Sequence, residues 1–345
     1  MTSRASDNDN NNKETAAAVG EGANDTTLVQ EAENFFAVER LLDAAKLLRQ
    51  VKDVSLLTPK HEWMLRWADL IEAGMNDLLL PPDCEGTDWK KQGETHGHRD
   101  FTVYYKHTAE NHLECRIDSI IESSLLIPII SVFNESDLYD TWMPSFKKPI
   151  KIGIQESKKI KEEGRGNQII RVTANMAWPF QTRECTQHAV AVDVIEDQGA
   201  IAIHVQTETP EDNPDVPESA PNVVRIDLSA SILIRGCPPD HHLLEKSRHK
   251  YPEGEELILI SIKSWVDPHI AGVPVSIINW FSRTVFGRLW SSLLGVAEAI
   301  REGKRPQHEE AIQNNRDLYN WIEQRIEVMM EKVKEQSRHH VESQA

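Results

Sequence analysis

Cys185 and His188 are the nearest the sequence comes to a nucleophile beside a base. They stand three residues apart in TRECTQHAVAVDV, a run that reads as a strand. Side chains three apart on a strand point to opposite faces, so a Cys–His pair would need a bulge. The histidine pairs are His96 with His98, His241 with His242, and His339 with His340. They lack cysteine or acidic neighbours at metal-ligand spacing and fall in polar loops or the tail. Glu162–Glu163 and Glu255–Glu256 sit in loop-like stretches and read as solvated carboxylates. Phosphate loops of the GxGxxG and GxxxxGK[ST] types are absent, as are HExxH and GxSxG. No catalytic residue, metal ligand or cofactor is therefore expected.

Composition narrows the class further. The chain has 345 residues, 39% hydrophobic and 27% charged, with 55 acidic and 38 basic side chains and a net charge of −17. Phosphate contacts need a basic surface, so a nucleic-acid partner is not expected. No run reaches the roughly 18 apolar residues of a membrane span. The start, MTSRASDNDNNNKETAAAVGEG, has no apolar signal region, and Cys84, Cys115, Cys185 and Cys237 form no CxxC. The expectation is a cytoplasmic protein with reduced thiols.

Hydrophobic periodicity supplies the elements. Residues 1–26 are Asn-, Asp- and Ala-rich and are expected to be a disordered tail. Residues 27–80 read as a helical hairpin, one helix over 27–51 and a second over 60–79, with Thr58 as N-cap and Pro59 at the first helical position. From about 86 the period changes to two. Phe101, Val103 and Tyr105 share a face, as do Cys115, Ile117, Ser119 and Ile121. A helical interruption covers 124–143. Alternation resumes through Ile150–Ile152–Ile154, Ile170–Val172–Ala174–Met176, Val190–Val192–Val194, Ile201–Ile203–Val205, Val224–Ile226–Leu228–Ala230–Ile232–Ile234 and Ile258–Ile260–Ile262. Strict alternation means strands wet on one side, the mark of an antiparallel sheet.

Residues 272–303 then form a long amphipathic helix, with Ile278, Phe281, Val285, Leu289 and Val296 on one stripe. Its apolar face needs the bare face of the sheet. The fold class is thus α+β: a curved nine-stranded antiparallel sheet wrapped around a long C-terminal helix. A last helix over 306–337 carries Ile312, Tyr319, Ile326 and Val333 at sevens. Docking on its own chain is favoured over a coiled coil. The domain boundaries are 1–26, 27–80, 86–303 and 304–345.

The run from Asp88 to Glu302 resembles the START family of StAR-related lipid-transfer domains. NMAWPFQTREC (175–185) is similar to that family's aromatic-and-proline loop followed by Arg-Asp, here Arg183–Glu184. VVRIDLSASILIRGCPPD (223–240) places Arg225 at the family's Val-Arg strand. SWVDPHIAGVPVSIINWFSRTVFGRL resembles the final strand and closing helix, with Asp267, Gly272 and Pro274 matching in kind. The resemblance implies a helix-grip fold around a hydrophobic tunnel and a carrier for one sterol, phospholipid or sphingolipid. It also implies a gate formed by the loop at 177–182 and the start of the last helix, opening at a membrane surface.

With that fold, the expected lipid-binding residues are Val172, Ala174, Met176, Trp178, Phe180, His188, Val190, Val192, Ile201, Ile203, Ile226, Leu228, Ile260, Ile262, Ile278, Phe281, Val285 and Leu289. Ordinary core packing competes for each. Trp178 reads equally as an interfacial anchor or a core plug, while Phe180 leans towards the mouth. His188 shares the phase of Val190 and is expected on the apolar face, more as a satisfied core histidine than as a ligand contact. Arg225 is out of phase and is expected in a cross-strand ion pair on the outer face. Expected partners are a single lipid, a transient membrane surface and, through the terminal helices, a protein. Two alternatives remain: a cyclase- or aromatase-type enzyme using His188 and Ser119, and a lipid-sensing adaptor.

Overall fold

The computed structural model describes residues 24–95, 99–108, 113–143, 153–176, 180–252, 255, 257–269 and 275–344. Most of the expected tail, His96 with His98, Ile150, Ile152, Trp178, Gly272 and Pro274 lie outside them. So do the side chains of Ile278, Phe281, His339 and His340. The chain divides into two units, residues 1–73 and 74–345.

The first unit is helical from residue 24, so residues 24–26, expected in the tail, belong to a helix. The expected single helix over 27–51 is two: α1 at 24–37 and α2 at Leu41–Leu48. The break is local. Glu39 takes a left-handed φ of 64°, and the N–H groups of Val38, Glu39 and Arg40 turn back onto the carbonyls of Phe35 and Phe36. Asp25 accepts the N–H groups of Lys52 and Asp53, tying the start of α1 to the loop after α2. Helix α3, Pro59–Leu79, opens at Pro59 as expected. His61 Nδ1 accepts the Thr58 N–H at 3.1 Å, taking a capping role there.

The second unit is built on one sheet: β1 Lys90–Thr95, β2 Phe101–His107, β3 Leu113–Glu122, β4 Gly153–Glu163, β5 Asn167–Asn175, β6 Thr182–Val194, β7 Ala200–Thr207, β8 Val223–Arg225, β9 Asp227–Gly236 and β10 Leu257–Asp267. Nine strands pair antiparallel in the order β1-β2-β3-β10-β9-β7-β6-β5-β4, and β8 pairs parallel with β6. The expected strand over 223–235 is therefore two. It breaks at Ile226, whose N–H turns to the Glu184 carbonyl. The sheet's outermost strands, β1 and β4, are lysine-rich and carry register shifts at Lys91/Gly93, Ile154/Glu156 and Lys159/Lys161. Charge and bulges on an open edge discourage edge-to-edge pairing.

The helical interruption contains α4, Leu126–Asn134, flanked by short 3-10 turns. The long helix is α7, Val275–Arg301, preceded by the four-residue α5, Ile195–Gln198, and by α6, His242–Ser247. The apolar faces of β2, β3, β9 and β10, α4 and the C-terminal half of α7 form one core. It is a helix-grip arrangement. The last segment is two helices, α8 Pro306–Asn314 and α9 Arg316–Gln344, parted at Asn315. Tyr319, Ile322, Ile326 and Met329 are buried in that core, so the helix docks on its own chain.

Candidate functional site

Register decides which side chains share the inner face. Phe101, Ser119, Ile260, Ile234 and Ile201 lie in one row, and Val103, Ile117, Ile262, Ile232 and Ile203 in the next. Ile201 and Ile203 pair with Asp193 and Ala191, not with the valines of β6. On β6 the inner face is therefore Arg183, Cys185, Gln187, Ala189 and Ala191, continuing onto Gln168, Ile170, Val172 and Ala174 of β5. His188, Val190 and Val192 stand on the outer face, which corrects their expected placement. The cause is legible afterwards: TRECTQHAVAVDV alternates apolar with apolar, and the outer valines are buried as well. Where both faces of a strand are covered, period-two hydrophobicity no longer tells them apart.

Helix α7 crosses the inner face tightly at one point. A Cβ on Gly287 would sit in van der Waals contact with Val103 and Phe101. Beyond it, Trp290, Leu293, Leu294, Val296, Ala297 and Ile300 are all buried. Before it, Val285 and Phe286 are half-buried, as is Leu289. The sheet shows the same gradient. Ile234, Ile260, Ile232 and Ile262 are buried, whereas Val205, Leu228, Ala230, Val266 and Ala174 are half-buried, with Met176 and Phe180 at the rim. Helix and sheet are sealed at the C-terminal end of α7. Towards its N-terminal end they leave apolar inner-face side chains partly uncovered. Ile226 is half-buried in the break between β8 and β9 rather than on a strand face.

The polar groups around this face are specific. Arg183 donates from Nε to the Pro268 carbonyl (2.8 Å), from Nη1 to the Gln181 carbonyl (2.7 Å) and from Nη2 to the His269 carbonyl (3.2 Å). Burial alone lowers its pKa. Asp193 is held by Arg325 of α9. Cys115 and Cys185 are buried, and burial raises the Cys185 pKa, which disfavours a thiolate. Among the described residues, the buried indole nitrogens of Trp142 and Trp290 and the Ser119 hydroxyl have no hydrogen-bond partner.

The outer face behind β6 holds its own charges. Glu184 is fully buried and accepts from Arg171 Nε at 2.7 Å, Arg225 Nη2 at 2.9 Å and Ser219 Oγ at 2.9 Å. Burial pushes its pKa up, but these donors more than offset that and lower it. Arg225 thus makes the cross-strand ion pair expected of it. His188 lies 2.8 Å from Glu208 Oε2 and 2.7 Å from Asn167 Oδ1, a satisfied buried histidine. His188 and Ser119 are on opposite faces and do not converge. Arg183 and Glu208 were missed by sequence reasoning. An arginine in phase with inner-face residues was the signal for the first; Glu208 follows its strand and gave none.

No family model matches the chain, and no curated protein does. Solved structures similar to it include human STARD10 (TM-score 0.49, 10% identity, covering 73% of this chain and 84% of that one). Human StAR-related lipid transfer protein 5 gives a TM-score of 0.45 at 13% identity, over 68% of this chain and 98% of that one. A STAR-related lipid transfer protein from Xanthomonas axonopodis gives 0.43 at 16%, over 61% and 99%. Similarity of this degree says nothing about ligand. Among the described residues, no helix is long and apolar enough to cross a membrane, and no cluster of three or more His, Cys, Asp or Glu is placed to hold a metal ion.

Proposed function

We propose that the protein binds one lipid non-covalently between the inner face of its sheet and the N-terminal half of α7, and carries it between membrane surfaces. The observation that carries this is the exposure gradient: apolar side chains of β5, β7, β9, β10 and α7 remain partly uncovered on a face that is sealed at its other end. Uncovered apolar surface inside a helix-and-sheet grip is unfavourable by about 25 cal/mol per Å² until something apolar occupies it. Lining is proposed for Val172, Ala174, Met176, Phe180, Ile201, Ile203, Leu228, Ile262, Val285 and Leu289. Trp178, Ile278, Phe281 and the gate around Trp178 belong to the proposal through the START resemblance of the sequence. Docking would be transient and peripheral, from the cytoplasm.

The enzyme reading loses its pair, because His188 and Ser119 lie on opposite faces. An adaptor using the buried stripe of α9 would first have to strip that helix from the core. Native mass spectrometry of freshly purified protein, with organic extraction, tests the proposal. One stoichiometric lipid adduct is expected. A clean apo mass that persists when sterols, phospholipids and ceramides are offered would refute it.

A further inference from the structure

Arg183 is a buried cation without an anion among the described residues. Its residue surface is 7% exposed, and it stands on the inner face opposite Ala174. Two other buried arginines in the unit are neutralised, Arg99 by Glu122 and Glu298 and Arg116 by Asp118, while the half-buried Arg235 has no ion pair among the described residues. The half-buried Arg225 shares Glu184 with Arg171. Arg183 instead has three main-chain carbonyls, which solvate a guanidinium without cancelling its charge. A buried unpaired charge is expensive, so its retention calls for a counter-ion. Three of its five N–H groups are used, and two remain for an incoming acceptor. The turn that supplies two of the carbonyls is held in a strained shape. His269 has φ 48°, its N–H is donated to Asp267, and its ring Nε2 lies 2.9 Å from Asp227. That shape fixes the guanidinium against the end of β10, on the strand position paired with the half-buried Ala174.

We infer that Arg183 is the head-group receptor of the chamber, and that the ligand is a lipid whose head presents an anionic oxygen, as phosphate or as carboxylate. This rests on the reading that the chamber holds a lipid. The fork geometry of arginine suits both heads. An uncharged sterol or diacylglycerol would leave the cation uncompensated.

The test uses the full chain, delipidated, and two matched pairs: dioleoylphosphatidic acid against dioleoylglycerol, and oleate against oleyl alcohol. Occupancy is read by native mass spectrometry. The wild type is expected to prefer the charged member of at least one pair, and the pair that shows it distinguishes phosphate from carboxylate. Arg183→Gln is expected to lower affinity for that member about tenfold, leaving the neutral member unchanged, with Arg183→Lys in between. Equal affinity of the wild type for both members of each pair would overturn the inference without any variant. So would an equal loss for all four ligands in Arg183→Gln, which would make the residue a clasp between two loops. Failure of the wild type to take any of the four would overturn the inference, and the lipid reading itself would fall only if cholesterol and ceramide, offered alongside, were also refused.

Discussion

Glu184 and Ala230 show how single side chains separate stability from function here. Glu184 sits on the outer face with two guanidinium partners and a hydroxyl. Glu184→Gln removes the charge and leaves Arg171 and Arg225, both half-buried, facing a neutral amide. Breaking a buried pair on one side typically costs about 3–5 kcal/mol, and that loss is expected in urea unfolding. Unchanged unfolding would mean that the arginines find other partners. Ala230 lies on the inner face between Val205 and Ser264 and is half-buried. Ala230→Trp is expected to fill the space that the proposed lipid occupies. Lipid occupancy should fall about tenfold or more while the melting temperature stays within a few degrees. A large drop in melting temperature would instead show that the position is already packed.

Among the elements, α9 and β9 meet at a contact only glycine permits. A Cβ on Gly236 would overlap Val333 Cγ2. Gly236→Ala is expected to lift that end of α9 and destabilise the second unit by about 1–3 kcal/mol. Adding Val333→Ala should restore most of it, and a double-mutant cycle in chemical denaturation reads the coupling. Additive losses would place the effect elsewhere. The heptad stripe of α9 was legible because Tyr319, Ile326 and Val333 repeat at sevens; what it docks on was not, because a heptad stripe fits a partner helix as well as a core. The strands β7 and β9 were legible for the complementary reason that Ile201, Ile203 and Val205, and Leu228, Ala230, Ile232 and Ile234, alternate with mostly polar or small residues; β3 and β10 carry buried apolar residues on both faces. β6 was misread because its valines are buried on the outer face. The breaks at Glu39, Ile226 and Asn315 were invisible, since none carries glycine or proline to mark it.

For the whole molecule the consequence is sensitivity to acid in two stages. Burial, and then the charge of Lys263, lower the His204 pKa to about 4; burial foremost does the same for His241. Both are neutral in the fold but protonate below about 6.5 in the unfolded chain, which then binds more protons. Stability is full above pH 6.5 and is lost as pH falls towards 4. Glu122 supplies the second stage. Burial would raise its pKa, but Arg99, its own main-chain N–H and Arg301 hold it at about 2. A depressed carboxylate contributes stability above its unfolded value near 4.5, and that is lost as pH falls through about 2. Urea midpoints measured from pH 8 to pH 2 should decline in both windows. Glu122→Gln should flatten the lower one and leave the upper. A decline confined below pH 4 would show that the histidines are solvated.

The sequence by itself determined the class of fold. Period-two and period-3.6 patterns are properties of neighbours along the chain, so alternating isoleucines specify a one-sided sheet, and the stripe of α7 specifies its cover. Which residues stand on the inner face was decided only in three dimensions. A strand's register is set by its partners, and shifting it by one moves every side chain to the other side. That is why His188 and Val190 exchange places with Arg183 and Ala189, and why Arg183, read in the sequence only as part of a motif, gained its place on the inner face from the sheet.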